Sequence, residues 1–177
     1  EAVRHPLARA SAAGGAHLSG RISLREAAGP VFEGLGRLAS RRGITLSLAL
    51  EDDASVRVDP QDLQEMVGNL LENALQWARQ QVRVSSETRD GGVLLIIEDD
   101  GPGIPRDKLE KVFDPFYRIE ESRSRETGGH GLGLSIARTI VQAHGGDITL
   151  RNRETGGLGA AISIPLAPET TDERRKR

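Results

Sequence analysis

The 177-residue chain contains no cysteine. That excludes disulfide bridges and cysteine metal sites, and it fits a reducing compartment. Charge of one sign is missing as well: 24 basic against 26 acidic side chains leave a net charge of −2. No overall field therefore recommends nucleic acid or an anionic membrane as partner, and any charge-driven binding must be local. Long apolar runs are absent, the longest being Val93 to Ile97, far too short to span a bilayer. No signal-like segment opens the chain. The expectation is a cytoplasmic module without direct membrane contact, cut from a longer chain because position 1 is Glu1 rather than methionine. Aromatics are scarce too, with one Trp, one Tyr and three Phe. Hydrophobic residues still make up 37% of the chain, enough for one domain with a buried core.

Periodicity orders that domain. Residues 1–20, rich in alanine and glycine and holding Pro6, read as a lead-in, a remnant of a connecting helix or linker. "GRISLRE" suggests a short strand, followed by a helix over Ala27 to Arg42 that stops at Gly43. "ITLSLAL" alternates, so Ile44, Leu46, Leu48 and Leu50 are expected on one buried strand face. A short strand near Val56 to Val58 precedes Asp59 as cap and Pro60 as first residue of a helix to about Arg79, with Leu63, Val67, Leu70, Leu71, Ala74 and Leu75 as its apolar stripe. "QVRVSSE" and "GVLLIIED", joined by "RDGG", predict an antiparallel hairpin. "PRDKLEKVF" reads as a short helix, "RIEESRSRETGGH" as a long loop, and Leu132 to Ala143 as a helix ending at Gly145. "GDITLRN" and "GAAISIPL" form a second hairpin, and residues 168–177 read as a disordered tail. Strands and helices come in blocks, which predicts an α+β fold: a mixed, mostly antiparallel sheet covered on one face by helices.

Four constellations carry chemistry. In "GNLLENALQWA", Asn69 and Asn73 lie one helical turn apart and share a face, offering carbonyl oxygens to a hard cation and amides to phosphate. An exposed polar helix face would look the same. In "EDDGPGIPRDKL", Asp99 ends an apolar strand and Gly101 and Gly103 make the turn; a fixed, partly desolvated carboxylate suits an exocyclic amine, and the glycines let a flat ring approach the backbone. In "GGHGLGLSIA", Gly128, Gly129, Gly131 and Gly133 lead into a helix, whose free amides hold anions. "FDPFYR" gathers Phe113, Phe116 and Tyr117. That concentration suggests an anchor, although ordinary core packing would do the same.

The order of these segments over about residues 21–167 resembles the N, G1, F and G2 boxes of the GHKL ATP-binding superfamily. It is most similar to the catalytic domain of bacterial sensor histidine kinases, whose two-layer α/β sandwich is the Bergerat fold. The resemblance implies ATP and Mg2+ as cofactors. It assigns Asn69 and Asn73 to magnesium and phosphates, Asp99 to the adenine amino group, and Gly101, Gly103 and Ile104 to the base pocket. The segment from Phe113 to His130 becomes a lid over the nucleotide, with Arg118, Arg123 and Arg125 as phosphate contacts. Gly129, His130, Gly131, Leu132 and Gly133 flank the phosphates, and His130 is a further candidate for magnesium. Trp77 falls near the nucleotide, and Gln76 stands where the family often has a lysine.

Members that hydrolyse ATP carry a glutamate where this chain has Asn69, and an amide cannot take a proton from water. Transfer to a histidine is favoured instead, because it needs mainly positioning and charge neutralisation. Glu65 and Glu72 are catalytic candidates beside Asn69, Glu65 for orienting the incoming imidazole. His5 precedes Pro6 directly, His17 lies among glycines, and His144 reads as structural, so none fits a phosphoacceptor. The expected partners are a histidine-containing dimerisation domain of the same or a paired chain and a downstream response regulator. Two alternatives share the fold: an anti-sigma-type serine/threonine kinase and a non-catalytic nucleotide-binding module.

Overall fold

A computed structural model describes residues 20–89, 91–119 and 131–166. The chain enters through β1 (Ile22–Ser23), two residues paired antiparallel with β3 (Ser55–Val56). Helix α1 (Leu24–Arg41) begins three residues earlier than its apolar spacing predicts. Ser23 explains the difference: its backbone is extended and its hydroxyl accepts the Glu26 amide at 3.3 Å, a cap read more easily from geometry than from sequence. The helix runs through Pro30, an interior position that cannot supply a backbone donor.

A five-stranded sheet in the order β2-β4-β5-β7-β6 follows, with β2 (Thr45–Ala49) at one edge. Its pairing with β4 (Gln81–Arg89) is parallel, and the other three pairings, through β5 (Gly92–Asp99), β7 (Leu158–Pro165) and β6 (Asp147–Asn152), are antiparallel. Both expected hairpins form. Val93, Leu95, Ile97 and Asp99 alternate inward along β5, as do Leu158, Ala160, Ile162 and Ile164 along β7. Each large side chain so buried contributes roughly 1.5–3 kcal/mol. The strand over "ITLSLAL" is present, but its four apolar residues do not share one buried face. Ile44 and Leu50 are buried and Leu46 is half-buried, whereas Leu48 is 40% exposed. The reason is the edge: α1 reaches over Leu46, and nothing comparable among the described residues shields Leu48 beyond it.

Helix α2 (Pro60–Trp77) starts as expected, Asp59 accepting the amides of Gln61 and Asp62 at 2.8 and 3.3 Å. It ends at Trp77, two residues short of the expected limit. Its stripe, including Met66, is fully buried between the sheet and the flanking helices α1 and α3 (Gly133–Ala143). His144 closes α3, its Nδ1 donating to the Ile140 carbonyl at 2.8 Å and its Nε2 lying 3.7 Å from Asp62, so it joins the end of α3 to the start of α2. That is the structural role expected of it.

One expected helix is absent. "PRDKLEKVF" forms two 3-10 turns, Arg106–Lys108 and Lys111–Phe113, closed by Lys108 N to Pro105 O at 2.8 Å and Phe113 N to Glu110 O at 3.2 Å. A segment this short gains too few bonds to offset helix nucleation. The expected lead-in up to residue 19, the expected tail over 168–177 and the part of the expected lid over 120–130 lie outside the described residues.

Candidate functional site

A cavity of about 900 Å³ opens between α2, the segment after β5 and the first turn of α3. Helical spacing brings Asn69, Asn73, Gln76 and Trp77 of α2 to its wall together with Glu72. Asp99 comes from the end of β5, and Gly103 and Ile104 from the turn beyond it. Arg118 also lines it, and Gly131, Leu132 and Gly133 complete the wall where α3 begins. Residues more than sixty positions apart in sequence thus line one cavity.

Among the described residues Asp99 is the most buried polar or charged one. Only 2% exposed, it accepts the Gly101 amide at 2.8 Å and the Leu158 amide at 3.3 Å. Burial pushes it above the usual carboxylate range, and the two amides pull the other way without cancelling the shift. Gly101 lies behind the wall rather than on it. A Cβ there would strike the Trp77 carbonyl and approach Asp99 Oδ1 at 2.9 Å, so the end of α2 can meet this turn only over glycine. Gly103 takes a φ of +75°, the left-handed region.

Asn69 donates its Nδ2 to the Glu65 carbonyl at 2.9 Å, which fixes the carboxamide and leaves its oxygen towards α3. That oxygen would lie 3.4 Å from a Cβ at Gly133, so the second glycine motif packs directly on the first asparagine. Among the described residues no group of three or more His, Asp or Glu side chains could hold a metal. A cation at this wall would rest on carboxamide oxygens and on the ligand's own phosphates, a donor set that fits Mg2+. Among the described residues that line the cavity, the cations are Lys108 and Arg118.

The remaining candidates are placed as follows in the fold. Glu65 is exposed and does not line the cavity, whereas Glu72 does. Arg123, Arg125, Gly129 and His130 lie outside the described residues. The aromatic cluster divides. Phe113 is buried, with the Arg138 guanidinium 4.3 Å from its ring centre, while Tyr117 lines the cavity. Phe116 is 68% exposed at a φ of +65°, its amide donating to the Gly131 carbonyl at 2.9 Å. Arg138 also pairs with Glu110 at 3.0 Å and Asp147 at 3.2 Å, so one guanidinium ties the base of the lid to α3 and β6.

Other residues at or beside the cavity have no clear signal in the sequence. Lys108 lines the cavity, and no motif in the sequence marks it. Leu158, 59 positions from Asp99, reaches it only through the β5–β7 pairing. Asp100 accepts the Arg79 and Gln80 amides at 2.7 and 3.1 Å, fastening the chain as it leaves α2. Burial pushes the Asp100 carboxyl up, but the amides of Gln80, Arg79 and Gln81 together outweigh it and hold it below the usual range. No helix of the described residues is long and apolar enough to cross a membrane.

Comparison with known proteins agrees with this geometry. Residues 58–168 match the family model described as "Histidine kinase-, DNA gyrase B-, and HSP90-like ATPase". The chain is 40% identical over 147 residues to the signal transduction histidine-protein kinase BaeS of Escherichia coli, covering 82% of this chain and 31% of that protein. It is 38% identical over 125 residues to the sensor histidine kinase WalK of Bacillus subtilis, covering 68% of this chain and 20% of that one. The chain thus spans a third or less of the length of these relatives. Among solved structures, the catalytic domain of histidine kinase ThkA superposes with a TM-score of 0.75 at 27% identity, over 85% of this chain and 97% of that one. ThkA has also been solved in complex with the response regulator TrrA, and that structure superposes with a TM-score of 0.71 at 27% identity, over 85% of this chain and 42% of the matched one. Carboxamides, buried carboxylate and helix start converge here as an ATP site requires, and the chain belongs to the histidine kinase-, DNA gyrase B- and HSP90-like ATPase family, within it to the ATP-binding catalytic domains of sensor histidine kinases.

Proposed function

We propose that this domain passes the γ-phosphoryl group of ATP to the imidazole of a histidine on a separate dimerisation domain, of the same or a paired chain. The observation that carries the reading is Asn69, a carboxamide held against the first turn of α3 where a carboxylate would be needed to activate water. A histidine brings its own nucleophile, so the site has only to position it and neutralise charge. One imidazole nitrogen attacks the γ-phosphorus, the bond to the β–γ bridging oxygen breaks, and ADP leaves with the electron pair. The other ring nitrogen then gives up its proton, for which Glu72 on the cavity wall is the candidate acceptor. Glu65, exposed one turn before Asn69, is the candidate for orienting the imidazole.

On the nucleotide side, Asp99 accepts from the adenine amino group while Trp77 and Ile104 flank the base. Mg2+ would be held by the Asn69 and Asn73 carboxamides with the phosphates, where it supplies neutralising charge. Lys108 and Arg118, which also line the cavity, meet the phosphates, which offsets the glutamine at position 76. Arg123, Arg125 and His130 of the lid, and Gly129 and Gly131 to Gly133, are assigned to the same phosphates. A response regulator is proposed as the next acceptor, by analogy with the ThkA complex, and the parent chain as a sensor holding this domain in the cytoplasm.

The test is reconstitution. The domain is mixed with the dimerisation domain of a close relative and radiolabelled ATP; label that is acid-labile and base-stable is expected, and Asn73→Ala should abolish it. Acid-stable label would assign the domain to serine/threonine kinases. Nucleotide binding with no transfer to any dimerisation domain would reduce it to a regulatory module.

A further inference from the structure

We propose that Asn152, at the end of β6, is a positioning residue for base recognition, holding the turn after β5 in the shape that presents the Asp99 carboxylate to the base. The inference rests on the reading of Asp99 as the acceptor of the exocyclic amine. Asn152 grips the backbone of Ile104 from both sides: its Oδ1 accepts the Ile104 amide at 2.8 Å, and its Nδ2 donates to the Ile104 carbonyl at 2.6 Å. A carboxamide facing one residue's amide and carbonyl together acts as a surrogate strand neighbour, and it fixes both ends of that peptide segment at once. The same side chain lies so close to Gly103, at a φ of +75° that glycine adopts freely, that a Cβ there would strike the Asn152 oxygen.

The neighbours of Asn152 hold the other end of the same segment. Arg153 donates to the Asp99 carbonyl at 2.8 Å and pairs with Glu98 at 3.3 Å, so the last two residues of β5 are tied to the β6–β7 turn. Gly157, at a φ of +94°, packs so closely on the Asp99 carbonyl that a Cβ could not fit. Leu158 then donates its amide to Asp99 Oδ1 at 3.3 Å and lines the cavity. Residues 152–158 therefore clamp Asp99 through Ile104 at both ends. No local sequence feature near Asp99 encodes this clamp. Carboxylate recognition of an amine depends on direction, and a turn free to move by an ångström would present the oxygens at random to amino and carbonyl groups alike.

The experiment compares ADP with inosine diphosphate, which carries a carbonyl in place of the amino group, by calorimetric titration of the full chain, with the melting temperature of the unliganded protein measured beside it. In Asn152→Ala the preference for ADP should fall about tenfold, through weaker ADP binding rather than tighter IDP binding, because two hydrogen bonds that orient the turn are gone. Asn152→Asp keeps the acceptor for the Ile104 amide and loses the donor, so it should fall between the two. A purely structural role would lower the melting temperature and leave the ADP:IDP ratio unchanged, and that result overturns the proposal. Asp99→Asn is the control: if it too leaves the ratio unchanged, the reading of Asp99 has failed; if it alone changes the ratio, only the inference about Asn152 has failed. Should Asn152→Ala not fold, Asn152→Asp and Arg153→Met carry the same comparison.

Discussion

Asp99→Asn should make the unliganded chain more stable and its nucleotide binding weaker. Asp99 is 2% exposed, and taking a carboxylate out of water costs several kcal/mol. The amides of Gly101 and Leu158 return most of this, since bonds to a charged acceptor are worth roughly 1.5–3 kcal/mol each. An asparagine keeps Oδ1 for both donors and carries no charge, so the net gain should be about 1 kcal/mol, or about 2–4 °C in melting temperature for a domain of this size. The pH dependence has a definite sign. Burial, only partly opposed by the two amides, raises the folded pKa above the unfolded one, so the wild-type chain has this part of its stability in full below the ordinary carboxylate range and loses it as pH rises through the raised value. The advantage of D99N should therefore be near zero at about pH 3.5 and grow towards neutrality. ADP binding should weaken by about 10- to 100-fold, because a charged acceptor is lost and an amide donor would face the amine. Melting scans from acid to neutral pH and calorimetric titration with ADP measure both. A D99N chain that melts lower than wild type at neutral pH, or that binds ADP unchanged, would refute the reasoning.

Leu71→Ala and Leu48→Lys form a pair: Leu71 is fully buried in α2 and should cost about 2–5 kcal/mol, whereas Leu48 is 40% exposed and should cost within about 0.5 kcal/mol in chemical denaturation. Gly101→Ala should abolish ADP binding in titration and lower the melting temperature, since its Cβ collides with the Trp77 carbonyl and must displace either α2 or the turn. Asp100→Ala should destabilise by about 1 kcal/mol in urea titration by releasing the Arg79 and Gln80 amides, while leaving the ADP:IDP preference intact. Arg138→Met should likewise lower the urea midpoint, because it keeps the stem over Phe113 but removes the pairs to Glu110 and Asp147.

Legibility followed the range of the forces. Asp59 and Pro60 announce the start of α2 because a cap and a first-turn proline act within a few residues, and its stripe is legible because burial repeats with the helix. The start of α1 is not legible, because the Ser23 cap precedes the apolar periodicity, nor is the exposure of Leu48, because edge position is a property of the sheet. The short helix after Pro105 was expected from composition alone, and the two 3-10 turns replace it because so few residues cannot sustain α-helical bonding.

By itself, the sequence determined the elements, the order of the motifs and the chemistry each could offer: carboxamides one turn apart, a carboxylate ending an apolar strand, glycines ahead of a helix. These depend on residue type and local spacing. Only the tertiary structure decided which groups face one another. It set Asn69 against Gly133, sank Asp99 beneath amides from Gly101 and Leu158, gave Asp100 its partners, and brought Asn152 across 48 positions to hold Ile104. Those contacts arise from strand pairing and layer packing, whose energies are summed over the whole sheet, and no window along the chain contains them.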